Sequence, residues 1–421
     1  MQVFIFMIKL VTITFLTFFL IITTNCQQSQ TLKKVKFGDE VFTEKHLGMV
    51  KGKQVGMVTN QTGVLSSGVS IIDTLVNLGI NVTVIFGLEH GFRSNKAAGE
   101  SIESYVDEKT GIPVYSLYGK VKKPSKTMLR NVDIILFDVQ DIGARFYTYI
   151  STLFYVLQSA AENGISVIVL DRPNPIGGNY VDGPVLDMDF KSFIGIAQIP
   201  VVHGLTLGEI ANLFVGENYI STKVKPDLKV IECESWQRNY YWNDFRIDWI
   251  PTSPNIPEFE TALVYPGSCF LEGTNVSEGR GTNSPFLIIG APFIDSEKLT
   301  NELKLKKIKG ANFSPVSFVP VDIPGKSTNT KYKGIKCKGI KIKITDENKF
   351  KSVEFGIYLL SSIIKLYPES FKFNANYFDL LAGSDKLRNE LFNYTEPEVI
   401  INSWNNDLNK FQQIRKKYLL Y

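Results

Sequence analysis

The sequence predicts an α/β protein: an open, mostly parallel sheet in the N-terminal part, followed by a second, smaller α+β domain. Three observations carry that prediction. Short runs that are apolar on both faces recur at 54–59 (QVGMVT), 82–86 (VTVIF), 132–137 (VDIILF) and 166–170 (SVIVL). Strands of this kind belong in a parallel sheet covered by helices. Segments with apolar residues at helical spacing, 69–78 and 149–161, lie between them, and such alternation implies right-handed crossovers. The chain is also 44% hydrophobic and only 21% charged, which excludes disorder over most of its 421 residues.

Along the chain, residues 1–25 carry one charge, Lys9, ahead of an apolar stretch at 10–22. That stretch is short of the roughly 20 residues of a membrane span and suits the core of a signal peptide. Cys26 follows directly, as in a bacterial lipobox, and would become the acylated first residue. The expectation is an exported protein of the bacterial cell envelope, periplasmic and touching the membrane only through a lipid on Cys26. Two further elements, a helix over 206–216 and a strand over 227–232, complete the first domain, read as 40–255. The stretch 249–257 (WIPTSPNIP) breaks the alternation and marks the boundary. In the second domain, 256–421, strands are expected at 285–290, 313–321 and 339–344, and helices at 353–366 and 396–418.

Several function classes fall at once. With 46 Lys+Arg against 42 Asp+Glu and no basic block, a nucleic-acid partner is disfavoured. Four cysteines without a Cys-x-x-Cys exclude a disulfide scaffold and a cysteine-based zinc site. Three histidines leave little for a metal centre, and no metal is expected. Cys233 and Cys337 read as buried free thiols. No phosphate-cradling glycine motif, nucleophile elbow or His-Glu-x-x-His occurs. No cofactor is expected.

In open α/β sheets ligands bind beyond the carboxyl ends of the strands. Polar clusters stand there repeatedly: Asn60-Gln61-Thr62-Gly63, Glu89-His90-Gly91-Phe92-Arg93, the run from Asp138 to Tyr147, and Asp171-Arg172-Pro173-Asn174. Carboxylates, amides and arginines suit sugars: an acid protonates a leaving oxygen while amides and guanidinia hold hydroxyls.

The same segments resemble a known family. VTNQTGV (58–64), GLEHGFR (87–93), FDVQDIGARFYTYI (137–150), DRPNPIGG (171–178), HGLTLGEIA (203–211), PTSPNIP (251–257) and YPGSCFLEGTNVSEGRGTNSPF (265–286) are similar, in order, to the NamZ-like exo-β-N-acetylmuramidases, long catalogued as a domain of unknown function. The resemblance implies a Rossmann-like N-terminal domain that binds no dinucleotide. It also implies removal of the non-reducing terminal N-acetylmuramic acid from peptidoglycan fragments containing MurNAc-GlcNAc. Leu88 stands where the family usually has proline, a change of backbone stiffness and not of charge.

Glu89, in the Glu-His-Gly to which the resemblance points, is the expected general acid, with His90 orienting it or packing on the sheet edge. Asp141 is one candidate for a second carboxylate and Glu278 the other. Asn60, Arg93, Asp138, Gln140, Arg145, Tyr147, Asp171, Arg172, Asn174 and His203 are candidate substrate contacts, against a plainer reading as caps and turns. From the second domain, Glu272, Asn275 and Arg280 lie on a glycine-flanked loop able to approach a ligand. Arg280 suits the lactyl carboxylate of muramic acid, and an interdomain salt-bridge loop is its alternative. Carboxylate spacing would separate retention (about 5–5.5 Å) from inversion (about 6.5–9.5 Å), and the substrate's acetamido group could replace a protein nucleophile. A rival function is a lipoprotein that binds muropeptides without cleaving them; the density of acids at strand ends favours the enzyme.

Overall fold

The strands of the first sheet, in chain order, are β1 (Val55–Thr59), β2 (Val82–Gly87), β3 (Tyr105–Val106), β4 (Pro113–Ser116), β5 (Ile134–Asp138) and β6 (Ser166–Leu170). After β7 (Asp182–Val185) and β8 (Pro200–Val202), which pair antiparallel by themselves, β9 (Leu228–Ile231) joins at the far edge. The computed structural model describes residues 34–89, 91–92, 104–245 and 247–421; Cys26, His90 and Arg93 lie outside them. The sheet order is β3-β4-β2-β1-β5-β6-β9, parallel except for the β3–β4 pair. The expected α/β architecture is therefore present.

Burial explains the all-apolar strands. Every residue of β1 and of β5 is buried. One apolar cluster, with Met57, Ile72 and Leu136, covers one sheet face; a second, with Val58, Phe137 and Leu153, covers the other. The helices of this part are α1 (Gly38–Lys45), α2 (Ile71–Asn77), α3 (Tyr149–Asn163) and α4 (Leu207–Gly216). Ser70 caps α2 by accepting from the Ile72 amide, and Thr206 with Glu209 forms a capping box on α4. Gly164, at φ 68°, ends α3 in the left-handed conformation that glycine adopts most easily.

Beyond 249–257 come α5 (Phe259–Ser268), β10 (Ile288–Ala291), α6 (Ser296–Leu305), β11 (Ala311–Phe318), β12 (Cys337–Ile344), α7 (Ser352–Leu366), α8 (Ala375–Ala382), α9 (Lys386–Phe392), α10 (Pro397–Ser403) and α11 (Asn405–Arg415). The second sheet is antiparallel, ordered β10-β12-β11. The single helix expected over 396–418 is instead α10 and α11, parted at Trp404. Helix α5 escaped the sequence reading because Pro266 lies inside it. It packs on α7 so closely that a Cβ on Gly267 would lie 1.8 Å from the Ser352 carbonyl oxygen. Residues 35–421 form one compact unit, and the second cluster runs from the first sheet through α5 and α7. Cys233, Cys269 and Cys337 are buried free thiols.

Candidate active site

The strand order turns at β1, whose successors β2 and β5 flank it on opposite sides. A crevice beyond the carboxyl ends of β1 and β5 is where such a sheet holds its ligand. Three of the expected residues build its floor. Asn60, just past β1, donates through Nδ2 to the Tyr149 hydroxyl (2.9 Å) and accepts through Oδ1 from the Thr62 amide and hydroxyl (2.9 and 2.6 Å). The Thr62 hydroxyl accepts from the Gln140 amide (2.9 Å), and Gln140 donates through Nε2 to the Asp141 and Pro173 carbonyls (2.8 and 2.9 Å). Tyr149 donates to the Thr252 carbonyl (2.6 Å), and the Tyr147 hydroxyl bonds that of Thr252 (2.8 Å). The two tyrosine rings meet edge to face at 4.8 Å. The floor is thus stitched to the Pro-rich stretch that leads into the second sheet.

Below the floor, several of the expected substrate contacts bond the protein itself. Arg172 is locked between Asp138 (Nε to Oδ1 2.5 Å) and Asp39 (Nη2 to Oδ2 2.6 Å), all three buried. Burial pushes the Asp39 carboxyl up to about 7 despite the guanidinium beside it. Asp171 accepts from the Thr206 hydroxyl (2.7 Å), the Gly208 amide (2.8 Å) and the Tyr421 hydroxyl (2.7 Å). A Cβ on Gly208 would lie 2.7 Å from that carboxyl carbon, so only glycine lets α4 start there. Burial raises Asp171 to about 7. Asn174 ties Leu205 to Ile176. Arg145 donates to the carbonyls of Pro184, Ile199 and Leu381 (2.7, 3.1 and 2.7 Å), and burial lowers it to about 9. His203 accepts from the Leu205 amide (3.1 Å) and is pulled down to about 3 by burial, so it is a neutral core histidine. Asn275 braces its loop against Ser370 and Lys372. Six of these seven residues, Asp138, Arg145, Asp171, Arg172, Asn174 and His203, are buried and spend side-chain atoms on protein partners, and half-buried Asn275 does the same within its loop.

What stays half-exposed above the floor is a smaller set: Glu89, Tyr118, Thr148, Glu272 and Arg280. Glu89 leaves the end of β2 and accepts from the Thr148 hydroxyl (3.3 Å), the residue before α3. Tyr118 stands within its electrostatic reach: the acidity of that hydroxyl is suppressed first by burial and then by the Glu89 charge. Asp141 lies deeper. Its Oδ2 accepts from the Gly143 amide (2.8 Å), Oδ1 has no partner among the described residues, and burial raises it to about 7. Glu89 and Asp141 both act electrostatically on Tyr147 and Tyr149.

The loop at 269–280 brings the second half of the protein to this rim. Arg280 pairs with Glu272 (2.7 Å) and Glu278 (3.5 Å) and lies 5.2 Å from the Phe286 ring centre. Burial works against its charge, and the two carboxylates outweigh it. Lys331 pairs with Glu278 (3.1 Å), and the Tyr377 hydroxyl donates to Glu272 (3.1 Å). Beside these groups lies a cavity of about 190 Å³, closed on its far side by 327–330. Arg280 and Glu272 both act on Tyr118, so one tyrosine links the expected acid to the expected lactyl-binding loop. Sequence reasoning missed Tyr118, Thr148, Lys331 and Tyr377. Tyr118 follows a four-residue strand with no motif, and Lys331 and Tyr377 stand 53 and 105 positions from Glu278 and Glu272. Thr252 sat inside a quoted motif without being singled out.

Among the described residues no group of three or more His, Cys, Asp or Glu is arranged to hold a metal ion. A half-exposed carboxyl at a strand's carboxyl end that accepts from the Thr148 hydroxyl, with Tyr118 in the field of both it and the Arg280–Glu272 pair, on a sheet without a phosphate-cradling glycine loop, fits a glycoside-hydrolase class of site. The comparisons place it. Residues 55–260 match the family model described as Exo-beta-N-acetylmuramidase NamZ, N-terminal, and 263–421 match its C-terminal counterpart. The Peptidoglycan beta-N-acetylmuramidase NamZ of Bacillus subtilis (strain 168) is 45% identical over 398 residues, 94% of either chain. Two crystal structures of DUF1343 family proteins from Bacteroides fragilis NCTC 9343 superpose with TM-scores of 0.84 and 0.77. They are 34% and 33% identical, and each match covers 92% of this chain and 99% of the other. The chain belongs to the NamZ exo-β-N-acetylmuramidase family.

Proposed function

We infer that this protein is an exo-acting glycosidase that hydrolyses the bond between a non-reducing terminal N-acetylmuramic acid and the next sugar of a peptidoglycan fragment. The observation that carries the reading is Glu89: a half-exposed carboxyl at a strand's carboxyl end, bonded by the Thr148 hydroxyl and acting, like Arg280 and Glu272, on Tyr118. In its neutral form Glu89 gives its proton to the glycosidic oxygen as the C1–O bond breaks. A water adds its oxygen to C1 and returns a proton to the Glu89 carboxylate or to solvent, releasing free MurNAc. The Thr148 hydroxyl donates to the carboxylate that remains after the first transfer, which stabilises the charge developed in that step. Arg280, with its side chain 25% exposed, meets the lactyl carboxylate through a charge-assisted pair. Asp141, enclosed beneath the tyrosines and raised to about 7 by burial, is held largely neutral below that pH and adds little negative charge to the site.

Incubation with MurNAc-GlcNAc separates this reading from the rival binding protein. An enzyme yields free MurNAc and GlcNAc; tight binding without products would favour the binder. Assaying aryl-MurNAc beside aryl-GlcNAc tests the need for the lactyl group. We further propose that the protein is exported and lipid-anchored through Cys26, the cysteine that follows the apolar leader. Metabolic labelling with a clickable fatty acid should mark the wild type and not Cys26→Ala; equal labelling of both would sink the anchor.

A further inference from the structure

We propose that Lys331 is a positioning residue for this reaction, its ammonium holding the 269–280 loop in the shape that presents Arg280; the inference rests on the reading of Arg280 above. Lys331 lies on the connection between β11 and β12, far along the chain from the loop it serves. Its Nζ donates to the carbonyls of Leu271 (2.7 Å), Glu272 (3.3 Å) and Val276 (3.1 Å) and to Oε2 of Glu278 (3.1 Å). An ammonium has three N–H donors, so four acceptors converging on it leave none of them idle. Three carbonyls and a carboxylate around one cation is how a loop is wrapped on a bound monovalent ion, with the ion here supplied by a side chain.

The neighbouring residue reinforces the point. Tyr332 donates its hydroxyl to the Asn275 carbonyl (2.6 Å), within the same loop. Adjacent side chains ordinarily diverge, and here both reach one target across a backbone at φ 58° on Tyr332, a left-handed conformation that is an outlier for a bulky residue. The consequence for the site passes through Glu278. With Oε2 taken by Lys331, Oε1 is the atom turned to Arg280. Arg280 is thereby held from Glu278 on one side and from Glu272, itself bonded by Tyr377, on the other.

Removing the ammonium leaves converging carbonyls without a donor, and the test uses that. Lys331→Ala should lose kcat/KM by about tenfold to hundredfold, the range for a lost hydrogen-bonded charge, chiefly as a raised KM for MurNAc-GlcNAc. Ammonium chloride should restore much of the loss where sodium chloride at equal ionic strength does not. Lys331→Met, which fills the space, should be impaired and not restored. Lys333→Ala removes an exposed pair with Asp322 on the same connection and should keep the wild-type rate. Wild-type kinetics in Lys331→Ala beside an impaired Arg280→Ala would overturn the role of Lys331 alone. So would a loss that ammonium does not touch and that follows a lowered melting temperature. Wild-type kinetics in Arg280→Ala would overturn the reading of Arg280, and this inference with it.

Discussion

Arg172 and Arg280 each centre a guanidinium–carboxylate cluster, and the two clusters differ most in exposure. Arg172 with Asp138 and Asp39 is sealed, with side chains 3%, 0% and 0% exposed. Arg280 with Glu272 is the same chemical pair at 25% and 15%. In the sealed cluster each charge depends on its partner, because a lone ion in the interior costs several kcal/mol. In the rim cluster water screens the loss, so the guanidinium can exchange one carboxylate for another without a large penalty. Burial, rather than residue type, separates scaffold from site.

Glu89 on the open side should show the largest effect. Glu89→Gln removes the transferable proton and keeps the shape, and a lost general acid costs about 10²- to 10⁴-fold in rate. We expect kcat to fall by about a thousandfold while calorimetry finds MurNAc-GlcNAc still bound. Normal turnover would end the assignment of Glu89 as acid. The sealed cluster should answer in stability. Asp138→Ala strands Arg172 between a missing partner and Asp39, and should cost about 3–5 kcal/mol in denaturant melts. Glu272→Ala should cost about 1 kcal/mol or less. Equal costs would erase the distinction drawn between the two clusters.

That distinction was the part of the site that the sequence could not supply. The strands and their order-giving helices were legible because burial on both faces leaves an all-apolar run, as in β1, β5 and β6. The edge of the sheet that carries the chemistry was legible too, since Asn60, Glu89 and Asp171 each come just after a strand and Asp138 ends one. But a strand-end aspartate that caps a helix from inside, as Asp171 does for α4, has the same local sequence as one that faces substrate. Nor could local pattern announce Lys331 or Tyr377, whose roles come from chain segments that meet only after folding. Helix α5 failed for a simpler reason: Pro266 is a breaker in sequence and is accommodated within that helix.

A smaller effect should sharpen the reading of the rim. Arg280→Lys keeps the charge and gives up the planar fork that grips a carboxylate through two parallel bonds. Losing one charge-assisted bond is worth about 1.5–3 kcal/mol, so KM for MurNAc-GlcNAc should rise by roughly tenfold to hundredfold with kcat little changed. A fall in kcat at constant KM would move Arg280 from substrate binding to the bond-breaking step.

The subtlest test concerns Asp141, which belongs to neither cluster: buried like the first, next to the floor tyrosines Tyr147 and Tyr149, and without a cation partner among the described residues. Its carboxyl titrates near 7 in the fold against 3.8 when unfolded. Between those values the folded chain holds a proton that the unfolded chain releases, so this group's contribution to stability is full below about pH 4 and is lost as pH rises through about 7. Asp39 and Asp171 push in the same direction. His203 opposes them: neutral in the fold down to about 3, it contributes stability above 6.5 that is lost as pH falls. A wild-type melting profile alone mixes these trends, and the difference between wild type and Asp141→Asn isolates one of them. The amide keeps the acceptor for the Gly143 amide and never ionises, so the variant should gain on the wild type between pH 5 and pH 8, by a few degrees in melting temperature. A difference independent of pH would mean that Asp141 is not held neutral by its surroundings, and its field would then have to be counted as a full negative charge beside Glu89.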